Sequence, residues 1–280
     1  MEIFNTKQEI KSYLTAQKER GKTVGLVPTM GALHQGHLSL VNKAKRKNDI
    51  VVVSIFVNPT QFDKKEDLTN YPKTIENDTE LLKSVSCHVL FFPSVEEIYE
   101  NQLLSEKFDF DGLEHKMEGK FRKGHFDGVG TIVKTLFKII EPNKAYFGQK
   151  DFQQLQIIKK MVRKNRLNVK IKGCPIFREN DGLAMSSRNT RLSAKQRADA
   201  PFIYKTLKKV RAKLISENIL EVTEWVENQF KKHPSFNLEY FTIADEKSLE
   251  TLKNKELNKK YRAFIAVFAS KIRLIDNIRL

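Results

Sequence analysis

The chain has 280 residues, of which 40% are hydrophobic and 30% are charged, and its formal net charge is +16. This length and balance indicate a globular protein of one or two domains with a sizeable core. They argue against a membrane protein, because the longest apolar stretch near a strand covers only residues 50–57. The first residues lack the pattern of a secretory signal, so we expect a cytoplasmic protein.

Two features of the composition could indicate special chemistry. The basic charge raises the question of nucleic acid, but the lysines are spread over the whole chain and form no arm or dense block. We therefore expect a solvated basic surface, with no nucleic-acid partner and no membrane. Cys87 and Cys174 are too few and too isolated for a disulfide framework or a zinc site, and we expect both to be buried as small hydrophobic residues.

The first half of the chain alternates between helical and strand patterns. Thr6 and Glu9 form a capping-box pattern, and Gly21 can end the helix that it begins. Residues 63–73 are polar and loop-like, whereas Thr74 can cap another helix. The pattern predicts helices over 7–20, 36–47, 74–84 and 95–99, and strands over 23–27, 49–57 and 88–92.

The pattern is weaker over residues 101–126. We expect some strand around 106–110 and a mobile segment around 119–124. Asp127 then begins a well-patterned helix that ends before Pro142. A strand over 144–147, a helix over 151–164 and a strand over 169–174 follow. This alternation predicts a mostly parallel sheet with helices on both faces.

The character of the sequence changes after Pro175. A polar loop covers residues 178–189, and helices are predicted over 194–216 and 220–231. Short strands are predicted over 238–243, 263–268 and 272–274. We therefore expect a first α/β domain over 1–175 and a smaller α+β domain over 176–280.

One stretch, residues 23–40, combines a buried strand, a glycine-bearing turn and the start of a helix. This geometry presents backbone N–H groups and a helix dipole to phosphates. His34 and His37 lie three residues apart and face the same side of the helix. They could bind phosphate, form a metal pair or cap the helix. A metal site needs a third ligand, which no motif in the sequence offers.

Polar residues also follow three other predicted strands, whose carboxyl ends form the edge where parallel sheets bind ligands. They are Asn58 and Gln61, then Lys150, Asp151 and Gln154, then Ser186, Ser187 and Arg188. Each group also has an ordinary interpretation, since Asp151 and Ser186 can cap helices and Lys150 can be solvated. No Ser-His-Asp or Cys-His arrangement suggests a covalent nucleophile. The groups instead favour electrostatic stabilisation of a phosphate transition state.

Four stretches of the chain form distinct motifs: PTMGALHQGH at 28–37, FVNPTQF at 56–62, FGQKDFQQL at 147–155 and DGLAMSSRN at 181–189. In order and at the expected spacing, these motifs closely resemble those of the pantoate–β-alanine ligase (pantothenate synthetase) family. Residues 122–128 and 273–277 fit as well. The four linked motifs are far more specific than the His-x-Gly-His element, which a wider nucleotidylyl-transferase superfamily shares.

The resemblance implies a Rossmann-like parallel sheet with a smaller C-terminal lid domain, usually in a homodimer. It implies that ATP and pantoate form pantoyl adenylate and pyrophosphate with Mg²⁺, and that β-alanine then displaces AMP to give pantothenate. The ligands of Mg²⁺ are expected to be ATP phosphates, with no protein side chain assigned.

The resemblance also implies roles for individual residues. The catalytic residues are His34, His37, Lys150, Ser186, Ser187 and Arg188, with His37 as the family's proton donor. Pantoate is expected to contact Gln61 and Gln154, and β-alanine to contact Gln61 and Asn58. The residues expected to bind ATP are Met30, Gly31, Ala32, Leu33, His34, Gln35, Gly36, His37, Gly148, Gln149, Lys150, Asp151, Phe177, Met185, Ser186, Ser187 and Arg188.

Some positions depart from the family pattern. Gln149 stands where a Glu is usual, and Lys123 stands where a Pro is frequent. Two other functions remain open from the residues alone. One is a different adenylyl transferase of the same superfamily, which makes a dinucleotide and needs no Gln61 and Gln154 pair. The other is an RNA-binding or tRNA-charging protein, for which the chain is short and has no separate basic domain.

Overall fold

A computed structural model describes residues 1–63, 65–100, 102–255 and 259–280. The chain forms two compact units. The first unit contains residues 1–149 and 153–175, and the second contains residues 150–152 and 176–280. That the second unit is a separate lid domain, divided from the first after residue 175, stays a prediction.

The first unit is built on a six-stranded parallel sheet, which confirms the predicted fold class. Its strands are β1 (Glu2–Phe4), β2 (Val24–Thr29), β3 (Ile50–Ile55), β4 (Val89–Phe91), β5 (Lys144–Gly148) and β6 (Lys170–Cys174). They lie in the order β1-β4-β3-β2-β5-β6. The strand order reverses beside β2, and ligands bind at such switch points in open parallel sheets. The edge strand β1 was not predicted, because three residues are too short to show a period.

The helices of this unit mostly follow the predicted pattern. They are α1 (Lys7–Glu19), α2 (Gln35–Lys45), α3 (Lys65–Thr69), α4 (Ile75–Ser84), α5 (Val95–Tyr99), α6 (Met117–Phe121), α7 (His125–Ile140) and α8 (Phe152–Lys164), of which Phe152 belongs to the second unit. The capping box of Thr6 and Glu9 is present at the start of α1. Val27, Val51 and Val53 are buried in the core between α2 and the sheet.

Two predictions for the first unit are wrong. No strand forms around 106–110 in the part of the chain that the structure describes. The amides of Glu106 and Phe108 donate instead to Thr131 Oγ1 and Asp127 Oδ1, at 2.9 and 3.2 Å. Side chains of α7 thus replace a neighbouring strand as hydrogen-bond partners. The loop predicted over 63–73 contains the short helix α3. Lys64, in the same predicted loop, lies outside the described residues.

The segment around 119–124 contains the end of α6 and a turn at Gly124, with φ of 76°. Its predicted mobility stays a prediction. Cys87 and Cys174 are buried, which confirms the expectation for both residues. Burial raises the pKa of the Cys87 thiol to about 11, and it also raises the pKa of Cys174. Neither thiol is therefore activated as a nucleophile.

The second unit combines helices with a three-stranded antiparallel sheet in the order β7-β8-β9. Its elements are α9 (Ala194–Asp199), α10 (Pro201–Lys213), α11 (Ile219–Lys231), β7 (Asn237–Asp245), β8 (Tyr261–Ala269) and β9 (Ile272–Arg279). The single helix predicted over 194–216 is wrong, because the chain divides it at Ala200. Pro201 has no N–H and cannot donate to the carbonyl four residues earlier. Leu207, Val226 and Ile265 lie in the core of this unit.

Within the described residues, no helix is both long enough and apolar enough to cross a membrane.

Candidate active site

A buried carboxylate fixes the turn that follows β2. Gly31 and Ala32 have φ values of 83° and 47°, a left-handed conformation that strains a residue with a Cβ atom. Asp78 of α4 is buried, and its carboxylate accepts the amides of Ala32 at 2.9 Å and Leu33 at 2.7 Å. These charge-assisted bonds hold the strained turn in place. The backbone N–H groups of Ala32 and Leu33 thus already donate to this carboxylate. The ATP contacts expected for these two residues stay predictions.

Two histidines occupy the start of α2. His34 is the residue that caps the helix, and its Nδ1 accepts the amide of Gly36 at 3.1 Å. The Nδ1 atom of His37 accepts the amide of His34 at 3.3 Å, and the two rings stack with their centroids 4.0 Å apart. Since each Nδ1 accepts a hydrogen bond, each neutral ring carries its proton on Nε2. The helix dipole and two imidazole N–H donors together suit an anionic phosphate.

The residues after β3 form a short 3-10 turn that ends at Gln61. Asn58 is completely buried, and its Nδ2 donates to the carbonyl of Gly128 at 3.0 Å. The Oδ1 atom of Asn58 accepts the hydroxyl of Tyr99 at 2.6 Å. The Nε2 atom of Gln61 lies 2.6 Å from the sulfur of Met30, so the side chain of Gln61 meets the turn after β2. Asn58 thus shapes this turn, and its contact with β-alanine stays a prediction.

The first turn of α7 packs against Gln61. Nδ1 of the buried His125 lies 2.8 Å from the carbonyl oxygen of Gln61, and Nε2 lies 3.1 Å from Nη1 of Arg122. Because a carbonyl only accepts and a guanidinium only donates, the ring is neutral with its proton on Nδ1. Burial, and to a smaller extent the positive charge of Arg122, lower the pKa of His125 to about 4. A Cβ atom on Gly128 would lie 2.4 Å from the carbonyl oxygen of Thr60, so only glycine fits there.

Two neighbouring glutamines of α8 differ in their surroundings. Gln153 is buried, and its Oε1 accepts the amide of Glu118 at 2.9 Å. Its Nε2 donates to the carbonyls of Leu113 at 2.8 Å and Lys116 at 2.7 Å, so Gln153 fixes the segment before α7. Gln154 is half-buried, and its predicted contact with pantoate stays a prediction.

Lys150 and Asp151 belong to the second unit. The Nζ atom of Lys150 lies 3.3 Å from Oδ1 of Asp151, and the Lys150 side chain keeps an exposed fraction of only 18%. The carbonyl oxygen of Lys150 accepts Nδ2 of Asn277 at 2.8 Å. The backbone of Lys150 is therefore held by a side chain of β9. Gly148 and Gln149, which precede it, belong to the first unit.

The loop that contains Met185 closes on itself within the second unit. The amide of Met185 donates to the carbonyl of Phe177 at 3.0 Å. Oγ of Ser186 accepts the amide of Arg188 at 3.2 Å and caps the 3-10 helix Ser187–Arg191. Ser186 therefore caps a helix, which is one of the two roles that the sequence left open for it. A phosphate clamp formed by these residues stays a prediction.

Sequence reasoning missed three residues that shape the candidate site of the first unit. Asp78 stands four residues after Thr74 in a predicted helix. Nothing in this position indicates that its carboxylate reaches the turn after β2. His125 lies in a stretch that resembles the family, but nothing in the sequence gave it a role. Gln153 stands beside Gln154 in a motif that resembles the family, but the sequence does not show that its side chain is buried and needs partners.

The family described as "Pantoate-beta-alanine ligase" matches residues 2–279. A pantothenate synthetase of Flavobacterium psychrophilum is 55% identical, and the match covers 100% of both chains. A pantothenate synthetase of Porphyromonas gingivalis is 47% identical over 100% of this chain and 99% of its own.

Solved structures resemble the fold described above. The pantothenate synthetase of Thermus thermophilus has a TM-score of 0.92 at 38% identity and covers 99% of each chain. A pantoate-β-alanine ligase of Francisella tularensis has a TM-score of 0.78 at 36% identity, over 100% of this chain and 97% of that one. The Francisella tularensis structure is described as a complex with β-γ ATP and β-alanine.

Proposed function

Because the chain belongs to the pantoate–β-alanine ligase family, we propose that the polar residues after its strands perform that family's reaction. The protein is a ligase that joins pantoate to β-alanine in an amide bond, with ATP as a substrate. The observation that carries the residue assignment is the start of α2. There, two imidazole rings held by backbone amides present N–H donors at a helix N-terminus.

The reaction proceeds in two steps. A carboxylate oxygen of pantoate attacks the α-phosphorus of ATP, and the bond to the bridging oxygen of pyrophosphate breaks. The amine of β-alanine then attacks the acyl carbon of the adenylate. The bond between that carbon and the AMP oxygen breaks, and the nitrogen loses a proton as the amide forms. Activation is needed because a free carboxylate is a poor acceptor for an amine.

His34 and His37 bind ATP phosphates during the first step. The Nε2–H groups of both rings donate to phosphate oxygens, where negative charge builds up as pyrophosphate leaves. The backbone contacts of both Nδ1 atoms fix the orientation of the rings before ATP arrives, so little reorganisation is needed. A proton on Nε2 of His37 fits its expected role as the proton donor.

Gln61 and Gln154 hold pantoate through their amide groups, and Gln61 also contacts β-alanine. The carbonyl contact of Gln61 with His125 fixes its backbone. An amide side chain offers both a donor and an acceptor, which suits a small acid that carries hydroxyl groups. Asn58 supports the same turn and borders the site of β-alanine.

Lys150, Ser186, Ser187 and Arg188, which all belong to the second unit, are proposed to bind ATP phosphates. The ammonium of Lys150 and the guanidinium of Arg188 supply positive charge, and the serine hydroxyls supply neutral donors. The remaining ATP contacts follow the family pattern given above. In this proposal, water is kept from the adenylate, since hydrolysis would waste the activated acyl group.

Mg²⁺ is proposed as a companion of ATP and not as a resident ion. Over residues 1–63, 65–100, 102–255 and 259–280, no group of three or more His, Cys, Asp or Glu side chains could hold a metal. Mg²⁺ would arrive on the phosphates and reduce their negative charge.

We place the enzyme in the cytoplasm and propose that it works as a homodimer. Analytical ultracentrifugation of the full chain tests the second of these proposals. A mass of twice 32.5 kDa supports it, and a monomer at working concentration contradicts it.

An isotope experiment tests the proposed reaction. Pantoate labelled with ¹⁸O at both carboxylate oxygens should transfer one labelled oxygen to AMP and keep the other in pantothenate. This follows because the oxygen that bonds to phosphorus stays with AMP when the amine attacks. Mass spectrometry of both products measures the transfer. Unlabelled AMP, or formation of ADP and labelled phosphate, would contradict an acyl-adenylate intermediate.

A further inference from the structure

Two neighbouring residues of β9, Asp276 and Asn277, are both buried and polar. They lie in the 273–277 stretch, to which the function described above assigns no role. Asp276 accepts two hydrogen bonds from the guanidinium of Arg178, at 2.7 and 2.9 Å. The same guanidinium donates to the carbonyl of Gly182 at 3.0 Å and stacks 3.5 Å from the ring centroid of Tyr204. Asp276 thus anchors the loop that leads from Phe177 to Arg188.

Asn277 makes the corresponding contact to the other phosphate-binding segment of this unit. Its Nδ2 donates to the carbonyl of Lys150 at 2.8 Å, and its Oδ1 accepts Nη1 of Arg262 at 2.6 Å. Because an amide oxygen only accepts, the bond from Arg262 decides which end of the side chain points to Lys150. The orientation of the amide is therefore set by a neighbouring charge.

Arg262 is itself fixed on two sides. It is 6% exposed, and its Nη2 and Nε donate to Oε1 of Glu246 at 2.8 and 3.1 Å. Its guanidinium lies 4.1 Å from the ring centroid of Phe152, which follows Lys150 and Asp151 in the chain. The same residue thus orients Asn277 and packs against the segment that Asn277 holds. A buried network with every partner present is rigid.

We propose that Asn277, oriented by Arg262, is a positioning residue that places Lys150 for ATP, while Asp276 places the Phe177–Arg188 loop through Arg178. The proposal rests on the assignment of Lys150 and the 185–188 residues to ATP binding. Asn277 acts through the backbone of Lys150 and does not itself contact ATP. Adjacent residues of one strand thereby fix the relative positions of two segments that bind one nucleotide. Positive groups that bind phosphate are most effective when they are held in place before the ligand arrives.

The substitution Asn277→Asp separates positioning from packing. The carboxylate has the same shape, and one oxygen still accepts from Arg262. The other oxygen then faces the carbonyl of Lys150, and two acceptors repel each other. Asn237→Asp is the matched control, because it makes the same change at an exposed position of the same sheet.

The test measures binding by titration calorimetry, with a non-hydrolysable ATP analogue and, separately, with pantoate. Asn277→Asp should weaken binding of the analogue at least about tenfold and leave pantoate affinity within about twofold. Asn237→Asp should change neither. A merely structural role would lower the fraction of folded protein and leave the affinity of the folded fraction unchanged.

Unchanged affinity for the analogue in folded Asn277→Asp protein would overturn the proposal. If that variant does not fold, Asn277→Ser removes the same hydrogen bond without adding a charge and gives the same comparison. Loss of folding in both variants would also overturn it, because Asn277 would then serve the sheet and not Lys150. The parent protein's requirement for pantoate in catalysis is measured independently, so failure of the proposed function is distinguishable from failure at Asn277.

Discussion

At the scale of single residues, the turn between β2 and α2 contains two different roles. His37 presents a ring N–H where phosphate charge is proposed to develop. Asp78 binds the amides of Ala32 and Leu33 and holds the strained backbone that leads to the histidines. Beyond its one contact with the amide of His34, His37 is therefore proposed to act on the substrate, whereas Asp78 acts on the protein. Substitutions at the two positions should differ in their effect on stability.

His37→Ala should slow adenylate formation about 100-fold and lower the free energy of unfolding by about 1 kcal/mol at most, because its Nδ1 accepts the amide of His34 at the start of α2. Asp78→Asn should also slow the reaction, but it should lower the free energy of unfolding by about 2 kcal/mol. The reason is that an NH2 group replaces one carboxylate oxygen. This group then faces a backbone N–H, so that two hydrogen-bond donors meet and neither finds an acceptor. Single-turnover assays and urea titrations measure the two effects.

Two variants serve as controls for this comparison. His115→Ala removes an exposed histidine, and Glu76→Gln neutralises an exposed carboxylate on α4. Neither should change the rate or the stability appreciably. Equal adenylation rates in His37→Ala and the parent would remove His37 from the mechanism. Unchanged stability in Asp78→Asn would show that the turn does not need its carboxylate.

His125 should make the stability depend on pH. Its pKa is about 4 in the folded chain and near the ordinary 6.5 when unfolded, because burial and Arg122 oppose its charge. Below pH 6.5 the unfolded chain therefore binds a proton that the folded chain does not. The free energy of unfolding should fall as the pH is lowered from 6.5 towards 4.

Urea titrations at several pH values test this prediction, with His125→Gln as the reference. The variant retains the other ionisable groups, including Glu118 and Asp63 near the ring, so the difference between the two slopes isolates His125. The parent should lose stability more steeply than the variant across this range. Parallel curves would show that His125 does not titrate in this way.

The sequence allowed candidate site residues to be proposed from their motifs, but it did not show the buried contacts that hold them in place. His34, Gln61 and Lys150 stand in recognisable motifs at strand ends. Asp78 is 45 residues from its amide partner Leu33 in the chain, and Asn277 is 127 residues from Lys150. Pairs this far apart have no local period, so only the folded chain brings them together.

At the scale of elements, α7 and the turn after β3 form one packed pair. Gly128 allows the helix backbone to approach Thr60, where a Cβ would come within 2.4 Å of a carbonyl oxygen. The first turn of the helix then places His125 against Gln61. The position of Gln61, which is proposed to bind pantoate, therefore depends on the packing of a helix whose sequence shows only an amphipathic pattern.

Gly128→Ala tests this dependence, because two effects predict opposite signs. In an open helix, Ala would stabilise the protein by up to about 1 kcal/mol relative to Gly. The contact with Thr60 should reverse that sign and raise the KM for pantoate roughly tenfold by displacing Gln61. Urea titration and steady-state kinetics measure both quantities. Lys138→Ala, at an exposed position of α7, should change neither, and a variant as stable as the parent would contradict the packing argument.

Element boundaries could be predicted where local signals agree. The capping box at Thr6 fixed α1, and Pro93 and Pro142 ended the elements before them. The prediction of a strand around 106–110 failed because its pattern fits any extended segment. Here the backbone amides of the segment donate hydrogen bonds to side chains of α7. The division at Ala200 was missed because Pro is well tolerated at the first position of a helix, where Pro201 stands.

At the scale of the whole molecule, the strand order explains why the proposed site lies where it does. The chain runs from β2 to β3 on one side and later returns to β5 on the other side of β2. The turn after β2 therefore lies at the switch point of the sheet. The alternation of strands and helices predicted a parallel sheet, but it could not give this order, because several orders satisfy the same alternation.

The large positive charge is also a property of the whole molecule. Many of its lysines form surface ion pairs, such as Lys107 with Asp127 and Lys160 with Asp111. Such pairs contribute little to stability. The surplus charge attracts anions in general, which suits substrates that carry phosphate and carboxylate groups.

The central claim is that this chain activates pantoate as an adenylate, and exchange of labelled pyrophosphate into ATP tests it most directly. The full chain is incubated with ATP, Mg²⁺ and labelled pyrophosphate, with and without pantoate, and always without β-alanine. We predict that label enters ATP only when pantoate is present, because only the reversal of adenylate formation can incorporate it. Exchange that proceeds equally well without pantoate, or no exchange with it, would contradict the claim.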